Sequence, residues 1–412
     1  MSDEWEVVPL SDIVERVTTK NSYGVDKVYT VSAQMGLVDQ ETYFNKRVAS
    51  KNLANYSVVE CGDYVFNKSY SEGYPLGVVA RNKGGETGLV SPLYIVMRAK
   101  SNRVLDGWLD LAFSSREYEE SLQGLMKEGG RAHGALNVKL SDYFSALLPL
   151  PPLPVQRRIV DLMTHVDSHL ANLRAERDAL AITRKVMLTD ALAGQLADAP
   201  MNDEWVETTL EQVCRVRSSK RVLQKDWQNS GVPFYRGREI SSLAAQGFVA
   251  PDLHIEQSHF ERLAASSGVP LRGDLLITAI GTIGNTYVIP NETPLYFKDA
   301  SVLWVSPSSS IESWYLKYWF ASAGFWNQVV SGNGTTVDTL TISALSKMTI
   351  SIPPLPVQRR IVDLMTRVDE QIKNLSAEFQ TLGESRTALL ADLLSQGIEV
   401  PSTYDSLLPK VA

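Results

Sequence analysis

Cysteine is nearly absent from this 412-residue sequence: Cys61 and Cys214 stand alone, at unrelated positions. That argues against a disulfide framework or a cysteine-based zinc site and suits a reducing compartment. An excess of basic charge is also lacking, because 40 Lys and Arg face 47 Asp and Glu, for a net charge of −7. Indiscriminate coating of nucleic acid is therefore disfavoured, and any contact with it has to come from local clusters. No apolar run reaches membrane-spanning length; the most aromatic stretch, Trp314 to Val330, is interrupted by Lys317, Asn327 and Gln328. The opening Met1-Ser2-Asp3-Glu4-Trp5-Glu6 is acidic and polar, unlike a secretory leader, so the expected location is the cytoplasm.

Catalytic signatures are missing as well. The Asn/Asp-Pro-Pro-aromatic string of amino methyltransferases does not occur, and Ser91-Pro92-Leu93-Tyr94, the nearest string, lacks the second proline. No glycine-rich loop ends in Gly-Lys-Ser/Thr, which excludes that class of NTP-driven motor. The strings Gly281-Thr282-Ile283-Gly284 and Gly332-Asn333-Gly334 read as turns.

What the sequence does contain is one block written twice. Pro151-Pro152-Leu153-Pro154-Val155-Gln156-Arg157-Arg158-Ile159 and onward to Asp167 returns at Pro353 to Asp369, with His165→Arg367 the single difference. Met1-Ser2-Asp3-Glu4-Trp5 likewise returns as Met201-Asn202-Asp203-Glu204-Trp205. A period of about two hundred residues is far too long for a solenoid and fits a duplicated half-protein. His165 and His169 are one helical turn apart, a spacing that suits a metal, but Arg367 and Gln371 replace them in the second copy. They read as solvated. His254 and His259, near Asp252 and Glu256, have no counterpart in the first copy and read the same way, so no metal is expected.

After each block comes a heptad-like stripe. Ile159, Met163, Val166, Leu170, Leu173, Arg177, Leu180, Arg184, Met187 and Ala191 are spaced alternately by four and three. Ile361, Met365, Val368, Ile372, Leu375, Phe379, Leu382, Arg386, Leu389 and Leu393 repeat that register. Such a stripe is a coiled-coil seam. Proline suits the first helical turn at Pro154 and Pro356, and Gly194 with Pro200, or Gly397 with Pro401, supplies the stop. The spacing predicts two helices of about forty residues, roughly 60 Å long, packed on each other as an antiparallel pair.

The fold class is accordingly mixed α/β (α+β): two similar lobes joined by two long helices in a pseudo-twofold internal repeat. Boundaries fall at 1–150 for the first lobe, 151–200 for the first helical region, 201–352 for the second lobe, 353–400 for the second helical region and 401–412 for a tail. Strands are expected at Val58-Val59, Tyr64-Val65-Phe66, Gly77-Val78-Val79 and Tyr94 to Met97, with one helix from Leu109 to Leu122. The second lobe repeats the plan with Gly273 to Ile277, Val302 to Val305 and a helix from Trp314 to Trp326. Both lobes end in glycine-rich loops, Gly129 to Gly134 and Gly332 to Thr336.

Basic and amide side chains gather in loops of both lobes. In the first these are Lys46, Arg47, Lys51, Asn67, Lys68, Ser69, Tyr70, Arg81, Lys83, Arg131 and His133. In the second they are Arg217, Lys220, Arg221, Lys225, Tyr235, Arg236, Arg238, Thr278, Thr282, Asn285, Asn333 and Thr335. Arg, Lys and Asn match the acceptor and donor edges of guanine and adenine in the major groove, while phosphate contacts fix register. These residues are candidates for binding double-stranded DNA. Gln156, Arg157, Arg158, Gln358, Arg359 and Arg360, expected to be exposed beside the seam, are candidates for partner docking.

Two variable lobes, each closed by a string such as Leu148-Pro149-Leu150-Pro151-Pro152-Leu153-Pro154 or Ile350-Ser351-Ile352-Pro353-Pro354-Leu355-Pro356 and followed by Gln-Arg-Arg-Ile and a long helix, resemble the specificity subunit of type I restriction-modification systems. Val155 and Val357 stand where that family usually has Glu. The resemblance implies that the lobes are target-recognition domains reading the halves of an asymmetric, split DNA site. It implies that the helices dock two adenine methyltransferase subunits, to which motor-nuclease subunits attach. S-adenosylmethionine, ATP and Mg would then sit on the partners, with no cofactor on this chain and no catalysis by it. A second reading is a duplicated coiled-coil adaptor whose lobes bind proteins; a third, a stand-alone DNA enzyme, conflicts with the missing motifs.

Overall fold

Side-chain pattern dictates two 40-residue helices, Leu153–Leu192 and Leu355–Leu394, in the computed structural model. The structure describes residues 5–408 except 23, 70–73, 75, 85, 101, 126–130, 133, 134, 137, 197, 198, 201–203 and 334–338. The opening repeat at 1–4 and 201–203 thus lies outside the described residues, as does most of each glycine-rich loop. Every seam position named above is buried or half-buried, whereas intervening positions such as Ala171, Arg174 and Glu176 are exposed.

The chain divides into two units, and each long helix contributes to both. One unit is Met1–Leu173 with Glu378–Ala412; the other is Arg174–Ala377. In the first unit the opening half of the first helix lies against the closing half of the second. Ile159 and Met163 share a core with Leu390, Leu393 and Leu394, and with Trp108, Leu109 and Tyr143 of the lobe. The partners run in opposite directions: Arg158 donates to Val400 O (2.7 Å), and Arg386 pairs with Asp167. The residues after the second helix fold back in the same unit, where Tyr404 Oη donates to Asp161 Oδ2 at 2.9 Å. In the second unit Leu188 and Ala191 share a core with Ile361 and Met365, and Arg184 pairs with Asp369. Each helix pair is thus antiparallel and continuous with its lobe's core.

Each lobe is centred on a four-stranded antiparallel sheet. In the first the order is Val14–Val17, Ile95–Ala99, Tyr64–Asn67, Val78–Arg81; in the second it is Cys214–Arg217, Val302–Pro307, Leu275–Thr278, Thr286–Val288. The likeness extends to single hydrogen bonds. Gly62-Asp63 and Gly273-Asp274 make the same tight turn, with φ of 90° and 88° at the glycines, a region that favours a residue without Cβ. Asp63 accepts from Glu60 N (2.8 Å) and Asp274 from Leu271 N (2.9 Å). Their remaining acceptor capacity goes to different partners, Arg98 Nε in one lobe and Trp304 Nε1 in the other, each at 2.7 Å.

One expectation needs correction. The single helix expected after the sheet is two helices in each lobe, Asp106–Ala112 with Arg116–Gly124 and Ser313–Phe320 with Ala323–Asn333. A serine makes the break. Ser115 Oγ donates to Ala112 O (2.7 Å) and accepts from Tyr118 N (3.2 Å), and Ser322 Oγ donates to Trp319 O (2.6 Å). A short hydroxyl that ends one helix and caps the next competes with continuation.

Candidate nucleic-acid interface

In the second lobe, hydrogen bonds gather loops that are far apart in sequence. Strands Val232–Tyr235 and Tyr296–Phe297 pair in parallel, and Lys298 N donates to Tyr235 O at 2.8 Å. The segment after Arg217 is strapped across them. Ser218 Oγ donates to Val302 O (3.2 Å), Ser219 Oγ to Phe297 O (2.7 Å), and Lys220 N to Tyr296 Oη (2.9 Å). Ala279 N donates to Ser301 O (2.9 Å), bringing in the Thr278 to Asn285 loop, while Asn285 Nδ2 donates to Ser241 Oγ (2.8 Å) in the helix Gly237–Gln246. Arg217, Lys220, Arg221, Tyr235, Arg236, Arg238, Thr282 and Asn285 therefore belong to one connected rim.

Within that rim the candidates do different things. Thr278 is buried, donating to Thr282 O (2.5 Å) and accepting from Asn285 N (3.0 Å); it shapes the loop. Arg217 lies over the Trp304 ring, 3.3 Å from its centroid, and donates to Ser306 Oγ (3.1 Å). Burial, aided by the like charge of Arg215, lowers its pKa from the ordinary guanidinium value. Arg221 pairs with Asp299 at 3.1 Å. Lys220 and Lys225 are exposed.

Arg236 and Arg238 flank the start of the helix and share Glu239. Its carboxylate accepts from Arg236 N (2.9 Å), Arg236 Nη2 (2.6 Å) and Arg238 Nε (2.5 Å), and both arginines also meet Asp252. Burial alone would raise the Glu239 pKa; the hydrogen bonds from Arg236 and Arg238 outweigh it and bring it down to about 2.

The first lobe pairs its cations with different carboxylates. Arg47 pairs with Asp26 (2.6 Å) and Glu41 (3.5 Å), Arg81 with Asp106 (3.0 Å) and Asp110 (2.8 Å), and Lys83 with Asp110 (3.0 Å). Asn67 Oδ1 accepts from Ser69 N at 3.0 Å and closes a turn. Lys46 and Lys51 are exposed and Lys68 is half-buried. Tyr70, His133 and Thr335, with the side chains of Arg131 and Asn333, lie outside the described residues. Sequence reasoning missed Glu239 and Lys298, and named Asp252 only as a neighbour of His254 and His259. A lysine directly after a strand was the available signal for Lys298; an acid next to arginines gives no comparable signal for Glu239.

The docking candidates require a correction. Gln156 and Gln358 are fully buried and Arg158 is 5% exposed, contrary to the exposure expected. Gln156 accepts from Leu105 N (2.8 Å) and donates to Arg103 O (3.0 Å) and Pro151 O (2.8 Å). Gln358 does the same with Glu312 N (2.8 Å), Ser310 O (3.0 Å) and Pro353 O (2.8 Å). The amide satisfies backbone groups where the helix leaves the lobe, so burial follows from its hydrogen bonds. Arg158 is drawn inward by Val400 O and Asp405 (3.0 Å). Arg157, Arg359 and Arg360 are exposed, and Arg359 pairs with Glu312 at 2.7 Å.

Residues 202–382 match the model of the type I restriction modification DNA specificity domain. A type I restriction enzyme specificity subunit of Haemophilus influenzae is 28% identical over 265 residues, 63% of each chain, so this match covers under two thirds of that relative. The MjaX specificity subunit of Methanocaldococcus jannaschii is 19% identical over 97% of this chain and 94% of its own. The second half of the chain is thus similar to the type I restriction DNA specificity domain, and the chain along most of its length to specificity subunits. A solved structure concerning assembly and conformational transition of a type I restriction-modification system has the same fold. Its TM-score is 0.62 at 20% identity, covering 96% of this chain and 98% of that one. The chain has a frame common to both halves, while the ion pairs of its loops differ between them. Among the described residues no helix is long and apolar enough to cross a membrane.

Proposed function

We propose that this chain is a specificity subunit that reads an asymmetric, bipartite site in double-stranded DNA, one half with each lobe, and positions two adenine methyltransferase subunits on it. Motor-nuclease subunits join through the methyltransferase. The observation that carries the reading is the contrast between frame and rim. The anchoring glutamines, the Asp63 and Asp274 turns and the four-stranded sheets repeat, while the cations of the loops differ in what they pair with. Identical frames suit identical partners, and unlike rims suit unlike half-sites.

On this reading the chain performs no chemistry itself. It acts in the cytoplasm and presents duplex in a geometry from which the partner flips an adenine, with S-adenosylmethionine, ATP and Mg held by the partners. Exposed Arg157, Arg359 and Arg360 remain the docking candidates. Selection of bound duplexes from random DNA, with methyltransferase subunits present, tests this directly. A split motif with two unlike halves is expected; enrichment of no motif, together with capture of protein by the lobes, would favour an adaptor.

A further inference from the structure

Among the rim arginines, Arg238 has its outer edge on an exposed carboxylate, whereas Arg221 ends on Asp299, which is only 20% exposed. The Arg238 side chain is 65% exposed, and its Nη2 donates to Asp252, itself 60% exposed. An ion pair so open to water is weakly held. Arg236, 25% exposed, is instead fixed by two side-chain bonds to the same Glu239 carboxylate that accepts its backbone N–H. Arg238 Nε also meets Glu239, so the stem of the side chain is placed while its outer edge is left with Asp252.

We propose that Arg238 and Asp252 together read one G·C pair in the half-site of the second lobe, the arginine on guanine and the carboxylate on cytosine. This rests on the DNA-reading function proposed above. In the major groove guanine offers two acceptors, O6 and N7, and its partner offers the N4 amino donor. A guanidinium needs acceptors and a carboxylate needs a donor. A single G·C pair satisfies both at once, so the internal ion pair is exchanged for two base contacts and neither charge is left unpaired. No other pair puts two acceptors on one base and an amino donor on its partner. Phosphate is a poorer occupant, because Arg236 and Arg238 are balanced by Glu239 and Asp252, and both carboxylates would repel an anion.

The test is selection from randomised duplex with the full-length chain bound to its methyltransferase subunits, for the wild type, Arg238→Gln and Asp252→Asn. Both positions are exposed, and matched thermal midpoints establish that the variants fold. Each variant is expected to lower the preference at the same G·C pair by about tenfold and to leave other positions of the motif unchanged. The proposal is overturned if the motif is unaltered, if all positions weaken evenly, or if the two variants relax different positions. A wild type that enriches no motif would defeat the DNA reading itself, an outcome distinct from a motif indifferent to Arg238 and Asp252.

Discussion

Arg184 pairs with Asp369, and Arg386 pairs with Asp167, and the two arginines, like the two aspartates, are 202 residues apart in sequence. One ion pair is therefore written twice, each time between the late half of one long helix and the early half of the other. The surroundings are unequal: Tyr318 Oη donates to Asp369 at 3.0 Å, and Arg184 lies 5.8 Å from the Tyr318 ring centroid. Both pairs are partly exposed, which limits each to about 1 kcal/mol or less. Asp369→Asn should lower stability more than Asp167→Asn, by about 1 kcal/mol from the tyrosine hydrogen bond. Chemical denaturation of the full chain measures the difference, and equal midpoints would show that Tyr318 contributes nothing.

Gln156 and Gln358 predict a second, paired effect. Replacing either by Leu keeps an apolar side chain of similar size but strands one backbone N–H and two carbonyls in a buried place. Losses of about 2–4 kcal/mol are expected, since each unsatisfied buried group costs on the order of 1–3 kcal/mol and partial rehydration recovers some. Calorimetry should show Gln156→Leu destabilising the unit that holds the first lobe and Gln358→Leu the other. Two variants with one common transition would refute this division.

How much of this was legible in the sequence follows from how far apart the interacting residues are. The seam, the turns at Gly62 and Gly273 and the shared lobe plan rest on short periods and on a literal repeat, so pattern alone reveals them. The state of the cations does not: Arg81 meets Asp106 and Asp110, and Arg47 meets Asp26, across separations that no local count of charge detects. Gln156 looked like a surface residue because glutamine usually is one. Its burial depends on Arg103 O and Leu105 N, more than fifty residues upstream, as well as on Pro151 O. Ser115 and Ser322 were hidden inside helical patterns that they interrupt.

The seam itself is tested at Leu173, which is 5% exposed. Leu173→Asp places a carboxylate in an apolar stripe, at a cost of about 3 kcal/mol or more. The expected result is loss of helical circular dichroism at lower temperature while near-ultraviolet signals of the lobes persist. Leu375→Asp, half-buried in the equivalent register, should act in the same direction and less strongly. A Leu173→Asp chain melting like the parent would mean that this stripe does not hold the helices.

The last expectation concerns acid. Glu239 has its pKa held down at about 2, against an ordinary value of 4.5 in the unfolded chain. A carboxyl whose pKa is lower in the folded state contributes stability that is fully present above pH 4.5 and is lost as pH falls toward 2. The fall from 4.5 to about 2 corresponds to about 3 kcal/mol, and with its side chain 5% exposed little is removed by solvent screening. The unit containing the second lobe should therefore weaken between pH 4.5 and 2, releasing Arg236 and Arg238 as the carboxyl protonates. Glu239→Gln should lower the midpoint at neutral pH and flatten its dependence across this window. If parent and variant fall in parallel as acid is added, Glu239 is not the group that titrates.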